Sequence, residues 1–480
     1  MFLGIDVGTS GVKAVVIDEA GTVLDQASAP LTVSRPYPLW SEQAPDDWTR
    51  ACDLAVRQLS PDLRRRVAGV GLAGQMHGAV LLDRADKPLR PAILWNDGRS
   101  FAECAVLEEA VSASRQITGN IAMPGFTAPK LLWVRGHEPR LFDQIHTILL
   151  PKDYLRLVLT GEKASDLSDS AGTLWLDTGA RRWSNEMLAA TGLGAEQMPT
   201  LHEGNETSGH LGKAFASAWG MEAVPVVAGA GDNAAGAIGA GVTGDGEAFL
   251  SLGTSGVIFV ASREFRPNPG RGVHAFCHCL PGMWHQMSVH LSAASCLDWG
   301  AQQLDLDGAG ALIDAARETG PGGGPELFLP YLMGERTPHN DAHVRGALLA
   351  LDHDTSPARI AAAILEGVAF AHADGLDALR EAGTRIDALR VIGGGARSRH
   401  WGNILAAVLG VPLLYADGAE VGPALGAARL AANGIGGVDA REAFAAPPVA
   451  ECVEPDLAIA GRLAPKLERF RRAYPALKSL

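Results

Sequence analysis

Gly8-Thr9-Ser10-Gly11-Val12 stands near the start of the chain and returns as Gly253-Thr254-Ser255-Gly256-Val257, 245 residues later. An apolar, strand-like stretch leads into each copy: Phe2-Leu3-Gly4-Ile5 in the first, Ala248-Phe249-Leu250-Ser251-Leu252 in the second. A repeat that divides 480 residues nearly in half predicts two related lobes, 1–244 and 245–480. A Gly-Thr-Ser-Gly turn after a buried strand exposes backbone N–H groups and small hydroxyls, a setting suited to phosphate. One turn from each lobe would grip a polyphosphate in the cleft between them. Aligned on the glycines, Asp6 corresponds to Ser251, so the carboxylate placed to serve a metal occurs only once.

Composition narrows the class. Hydrophobic content of 47% with 20% charge suffices for a full core in each half. A formal charge of −13, with basic clusters no longer than Arg64-Arg65-Arg66 or the stretch around Arg469 to Arg472, argues against a nucleic-acid partner. No apolar run reaches membrane-spanning length, and the N-terminus opens on a strand without signal-peptide order. Six cysteines in so long a chain make no disulfide framework, so the expected compartment is a reducing cytoplasm.

Strands are expected over Met1–Ile5, Val12–Ile17 and Thr22–Gln26, with Asp18-Glu19-Ala20-Gly21 as a turn. The second half echoes them at Ala248–Leu252 and Val257–Ala261. A helix opens at Ser356-Pro357 and carries Ile360, Ile364 and Val368 on one face. Val391-Ile392 runs into Gly393-Gly394-Gly395, with a helix expected over Trp401–Leu409. Strands alternating with helices in both halves predict α/β lobes.

Two Gly-Thr-Ser turns, an aspartate in the first, Gly231-Asp232-Asn233 before the second and a triple glycine downstream resemble the FGGY carbohydrate kinases. Gly125-Phe126-Thr127-Ala128-Pro129-Lys130-Leu131-Leu132-Trp133 is similar to a signature of that family, and the match runs from residue 1 to about 430. Gln75-Met76-His77-Gly78, Trp95-Asn96-Asp97-Gly98-Arg99 and Leu150-Pro151-Lys152-Asp153-Tyr154 are most similar to its xylulose-phosphorylating members. The resemblance implies two actin-like, ribonuclease-H-like ATPase lobes around a central cleft, with ATP and Mg2+ as cofactors and a small sugar as substrate. Self-association into a homodimer is left open.

Each candidate residue has a structural alternative. Asp6 is either an ordinary turn aspartate or, near the phosphate turn, the residue that holds Mg2+, through water because magnesium sheds its hydration reluctantly. Asp232 is either a helix cap or, as the resemblance implies, the general base that accepts the sugar hydroxyl proton, with Asn233 beside it in the sugar site. A lone histidine such as His77 is usually structural. The resemblance assigns Met76 and His77 to sugar hydroxyls instead. Trp95 is equally a core residue or an apolar wall against the sugar. Thr9, Ser10 and Lys13 would contact the terminal phosphates from one lobe and Thr254 from the other, with Gly394 and Gly395 beside the adenosine. Gly125 and Val257, smaller than the aromatics that the resemblance assigns to glycerol kinases there, leave room for a longer substrate.

Three patterns lead elsewhere and are set aside. Gly69-Val70-Gly71-Leu72-Ala73-Gly74 matches a dinucleotide-binding pattern, but its glycines lie within a strand. Cys277-His278-Cys279 has no second pair at zinc spacing and suits a partly buried strand. The Walker sequence is absent, so nucleotide binding must use the paired turns. The expected activity is ATP-dependent phosphorylation of D-xylulose, or of another pentulose or polyol. A non-enzymatic actin-like ATPase is the reading from a different class.

Overall fold

The first apolar stretch folds as a hairpin: β1 (Phe2–Val7) and β2 (Gly11–Ile17) pair antiparallel around the Gly-Thr-Ser-Gly turn. The structure, a computed structural model, describes residues 1–416 and 422–478. With β3 (Val23–Pro30), β4 (Gly69–Gly74), β5 (Thr207–His210) and β6 (Pro225–Val227) the hairpin builds a seven-stranded sheet ordered β5-β6-β4-β1-β2-β3. The seventh strand, Ala230–Gly231, pairs with the end of β4.

The second half repeats the plan. Strands β7 (Ala248–Leu252), β8 (Gly256–Ser262), β9 (His274–Cys277), β10 (Trp284–His290), β11 (Leu389–Ile392), β12 (Leu413–Ala416) and β13 (Val449–Val453) form a seven-stranded sheet ordered β9-β10-β8-β7-β11-β12-β13. In each sheet the strand before the turn pairs antiparallel with the one after it and parallel with a later arrival, β4 or β11. This is the two-lobed α/β architecture expected from the sequence repeat.

The repeat is not carried into the register. Val7 pairs with Val12 across four turn residues, whereas Leu252 pairs with Gly256 across three. The first turn closes through Gly8 N to Gly11 O at 3.0 Å, the second through Gly253 N to Ser255 O at 3.1 Å. The neighbours differ: Leu31 N donates to Ser10 O in the first lobe, whereas Ala293 N and Ala294 N donate to Thr254 O and Gly253 O in the second.

Side chains alternate across each sheet. Leu3, Ile5 and Val7 enter an outer core of the N-terminal lobe, and Ala248, Leu250 and Leu252 enter the corresponding core of the other lobe. That second core also holds Ile364 and Val368 of the long helix Pro357–Glu381, which Ser356 caps by accepting from Arg359 N at 3.3 Å. Phe2 and Phe249 point the other way, into a third core that spans both lobes. Asp6 shares the parity of Phe2, so it lies on the inner face, toward the cleft.

Two helices fill the space between the lobes, α1 (Asp232–Ala240) and α2 (Pro423–Gly434), and they pack on each other. Helix α2 follows the second Gly-Thr-Ser-Gly turn in sequence yet lies against β1 and β4 of the N-terminal sheet. The approach is close enough to require glycine. A Cβ on Gly4 would come within 1.9 Å of Ala424 O, and one on Gly71 within 1.9 Å of Ala427 O. The glycines of Gly69–Gly74 therefore serve helix packing within a strand. Cys277, His278 and Cys279 are fully buried rather than partly so, and no group of metal-ligating side chains occurs among the described residues.

Candidate active site

Strand β4 ends at Gly74, and the chain then turns sharply at His77, whose φ of 69° lies in the left-handed region. The strain is held by the Gly125–Trp133 segment. Lys130 Nζ donates to His77 O at 2.8 Å and to Gly125 O at 2.7 Å, and Thr127 Oγ1 donates to His77 O at 3.1 Å. His77 Nδ1 lies 2.7 Å from Gly172 O. A carbonyl only accepts, so Nδ1 carries the proton and Nε2 presents a lone pair. Burial, helped by the Lys130 charge, pushes the imidazole pKa down to about 3, so the ring stays neutral.

Asp232 is the first residue of α1, following Gly231, whose N–H donates to Ser168 Oγ at 3.2 Å. Asn233 binds Asp232 Oδ1 twice, from its backbone N at 2.7 Å and from Nδ2 at 2.9 Å. Oδ2 is left without a donor among the described residues. Burial raises the carboxyl to about 6, and the Asn233 hydrogen bonds restrain the rise. Asp6 goes further, to about 7, because burial and the Asp232 charge outweigh Lys13, its partner across the hairpin. Asp6 Oδ1 is buried and has no hydrogen-bond partner. An orphaned inner carboxylate oxygen of this kind fits a divalent cation, directly or through water, and a cation there would draw the pKa back down.

A cavity of about 250 Å³ opens beside these groups. Met76, His77, Trp95, Gly125, Asp232 and Asn233 line it from the N-terminal lobe, and Ser255, Val257, His274, Phe276 and Arg336 from the other. Phe126 meets His77 edge-on at 4.8 Å and His274 at 5.5 Å, so aromatic rings close the apolar side. Trp95 is 44% exposed, which overturns core packing as its role. Its Nε1 donates to Thr9 Oγ1 at 2.9 Å, and Thr9 Oγ1 donates to Gln75 Oε1 at 3.0 Å. The Thr9 hydroxyl is thus occupied within the protein. What the turn offers a phosphate is the N–H of Thr9 and of Ser10, neither of which donates to an acceptor among the described residues.

The remaining candidates lie on the second lobe. Thr254 O accepts from Ala293 N at 2.9 Å and Ser295 Oγ at 2.8 Å, which fixes the turn. Gly394 and Gly395 begin a short 3-10 turn, Gly394–Arg397, and do not open the helix directly; that helix runs Arg399–Leu409 behind Ser398. A Cβ on Gly394 would meet nothing within 4 Å, whereas one on Gly395 would meet Leu252 Cβ and Trp401 at 2.7 Å. Gly394 therefore offers an open face and Gly395 answers a packing demand.

A buried charge cluster supports the site, and the sequence marks only its Lys152-Asp153 part, within Leu150-Pro151-Lys152-Asp153-Tyr154. Asp166 caps the turn Leu167–Ala171 by accepting from Ser168 N at 2.8 Å, and its other oxygen is 2.9 Å from Lys152 Nζ. Burial would lower the Lys152 pKa, but Asp153, Asp166 and Asp169 together hold it above its ordinary value. The same short turn carries Ser168, which holds Gly231, and leads to Gly172, which holds His77.

The model of the FGGY family of carbohydrate kinases, N-terminal domain, matches residues 1–239, and the C-terminal domain model matches 248–434. The chain belongs to the FGGY family of carbohydrate kinases. It is 52% identical over 482 residues to a xylulose kinase of Klebsiella pneumoniae and to one of Escherichia coli, covering 100% of each chain. Among solved structures it is similar to one described as a xyloylose kinase from Brucella ovis, with a TM-score of 0.97, 50% identity, and coverage of 100% of this chain and 99% of that one. A xylulose kinase from Rhodospirillum rubrum superposes with a TM-score of 0.92 at 29% identity, covering 100% and 99%. Sugar kinases of the FGGY family use ATP, so this chain is an ATP-dependent sugar kinase. No helix among its described residues is long and apolar enough to cross a membrane.

Proposed function

We propose that this FGGY kinase transfers the γ-phosphoryl group of ATP to the 5-hydroxyl of D-xylulose, giving D-xylulose 5-phosphate. The observation that carries the reading is the placement of Asp232 in one cavity with Met76 and His77. Its carboxyl, raised to about 6, is ionised at neutral pH yet basic enough to take a hydroxyl proton in the transition state. His77 Nε2 accepts a second substrate hydroxyl. Gly125 and Val257 line the same cavity, where neither takes up the room an aromatic ring would. The full-length likeness to xylulose kinases supports the same substrate.

Phosphoryl transfer asks chiefly for alignment and charge stabilisation. The free N–H groups of the two turns would orient the phosphates from opposite lobes, with Lys13 and Thr254 beside them and the adenosine against Gly394. Asp6 would hold Mg2+, and a bound magnesium ion neutralises charge on the transferred group. All six cysteines are unpaired, in keeping with a reducing cytoplasm. A coupled ADP-release screen across D-xylulose, D-ribulose, L-xylulose, D-fructose and glycerol tests the assignment. The expected result is the highest kcat/KM with D-xylulose. Preference for another compound overturns the substrate and leaves the family standing.

A further inference from the structure

The C-terminal lobe brings one cation to the cavity, and no sequence motif marks it. Arg336 lines the pocket, and among the described residues no carboxylate lies within salt-bridge distance of its guanidinium. The adjacent Glu335 is engaged elsewhere. Its Oε1 accepts from Leu291 N at 3.1 Å and Arg336 N at 2.7 Å, and its Oε2 faces His290 Nδ1 at 3.3 Å. Burial also raises Glu335 to about 8, so it carries little charge at neutral pH. Arg336 is half-buried, and a partly desolvated guanidinium without an ion-pair partner is costly unless its donors find acceptors.

One acceptor is built in. Asn120 Nδ2 donates to Thr118 O and Ala275 O, both at 2.8 Å, which turns Asn120 Oδ1 toward His274 Nδ1 at 3.3 Å. His274 therefore holds its proton on Nδ1, and its Nε2 accepts from Arg336 Nη1 at 3.3 Å. The relay fixes the guanidinium and satisfies a single donor of the five that arginine carries. The Arg336 charge acts on His77 and His274, whereas Asp232 is shifted by burial and by Asn233. Through His274, which meets the same Phe126 ring as His77, the guanidinium stands on the side of the cavity that the two histidines share.

We propose that Arg336 is a sugar-binding residue supplied by the C-terminal lobe, donating to the oxygen at the substrate end remote from Asp232. On the function proposed above, that oxygen is the ketone of a 2-ketose. A ketone oxygen only accepts and a guanidinium only donates, so the pair is matched. The alcohol oxygen of the corresponding polyol accepts as well, but it brings a proton that arginine cannot take and that needs a further acceptor. Arg336 therefore favours the ketose over its reduced form.

Steady-state kinetics with D-xylulose and with its reduced form D-arabinitol test this in Arg336→Met and Arg336→Lys. For Arg336→Met we expect the KM for D-xylulose to rise at least about tenfold, the size of a lost charged hydrogen bond. Its kcat/KM for D-arabinitol should change less than about threefold, and its KM for ATP should be unaltered. Arg336→Lys should recover part of the ketose preference. Equal losses on ketose and polyol, or unchanged D-xylulose kinetics, overturn the proposal. If Arg336→Met no longer binds a non-hydrolysable ATP analogue, Arg336→Lys decides alone: a ketose-to-polyol ratio equal to the wild-type value overturns the proposal, and a reduced one supports it. A wild-type preference for a different ketose would remove D-xylulose as substrate, and the same ratio would then be read on that ketose and its alcohol.

Discussion

His77 Nδ1 and Gly172 O lie 2.7 Å apart, and that contact decides which ring nitrogen is left as an acceptor. With Nδ1–H committed, Nε2 is an acceptor at every pH above the ring's pKa of about 3. The sign matters. A histidine whose pKa is depressed remains neutral through the physiological range, so no activity limb near 6.5 should come from His77.

The same contact yields a mutational prediction. A Cβ on Gly172 would fall 2.5 Å from His77 Nδ1 and Cε1, so Gly172→Ala must displace the ring. The KM for sugar should rise roughly tenfold in both Gly172→Ala and His77→Phe, the scale of one lost hydrogen bond with its partner left unpaired. The KM for ATP should hold. Normal sugar KM in Gly172→Ala would show that the ring position is immaterial.

Asp232→Ala should lower kcat by roughly 10²–10⁴-fold, the usual contribution of a positioned base. Binding of an ATP analogue, measured by calorimetry, should be nearly unchanged because the phosphate turns lie elsewhere. In the wild-type enzyme kcat/KM should climb with pH through about 6, as the carboxyl loses its proton, and fall below it. Retention of more than about a tenth of kcat in Asp232→Ala contradicts the role of base.

How much of this was legible in the sequence depends on distance along the chain. β1, β2, β7 and β8 follow from local alternation and glycine turns: β7 keeps its expected bounds, β2 gains Gly11, β8 gains a residue at each end, and β1 runs on to Val7. Asp6 could be named from its place beside the first Gly-Thr-Ser turn, and Met76, His77 and Asp232 from the resemblance carried by the motifs around them. Arg336, His274 and Phe276 could not. They reach the cavity from a loop and a strand edge of the other lobe, and nothing local distinguishes an arginine in Glu335-Arg336-Thr337 from a surface one. The packing of α2 on the N-terminal sheet was equally hidden, since the contact of Gly4 with Ala424 joins opposite ends of the chain. Likewise the shorter second turn arises from its neighbours, as two identical pentapeptides close differently.

Asp6→Asn separates charge from shape. Magnesium dependence should weaken, seen as a higher apparent metal requirement together with lower kcat. Stability should move the other way. The folded-state pKa is raised from 3.8 to about 7, so the native protein binds the proton more tightly than the unfolded chain. The stability due to that proton is complete below the unfolded value and is lost as pH rises through about 7. At pH 8 without metal, Asp6→Asn should therefore be more stable than the wild type by roughly 1 kcal/mol or more, read from denaturant melts. Unchanged metal dependence and unchanged stability would reduce Asp6 to an ordinary strand residue.

Closure of the lobes is the last consequence of the paired turns. The cavity takes Asp232 and His77 from one lobe and Val257 and Arg336 from the other, so a sugar that touches both sides bridges them. The Thr9–Trp95 hydrogen bond joins the first phosphate turn to the wall of the same cavity. A ligand shifts a population only by binding one form more tightly than the other. On the proposed function, D-xylulose and ATP each contact both lobes, so each should bind more tightly to a form in which the lobes lie closer. Sugar should therefore tighten a non-hydrolysable ATP analogue, and by linkage the analogue should tighten sugar by the same factor, roughly 5–150-fold. Small-angle scattering should show a smaller radius of gyration with sugar than without. Arg336→Met, which removes a contact from the C-terminal lobe alone, should reduce that coupling factor. Equal radii together with independent binding constants would mean that the lobes move as one rigid body, and water exclusion would then require a different cause.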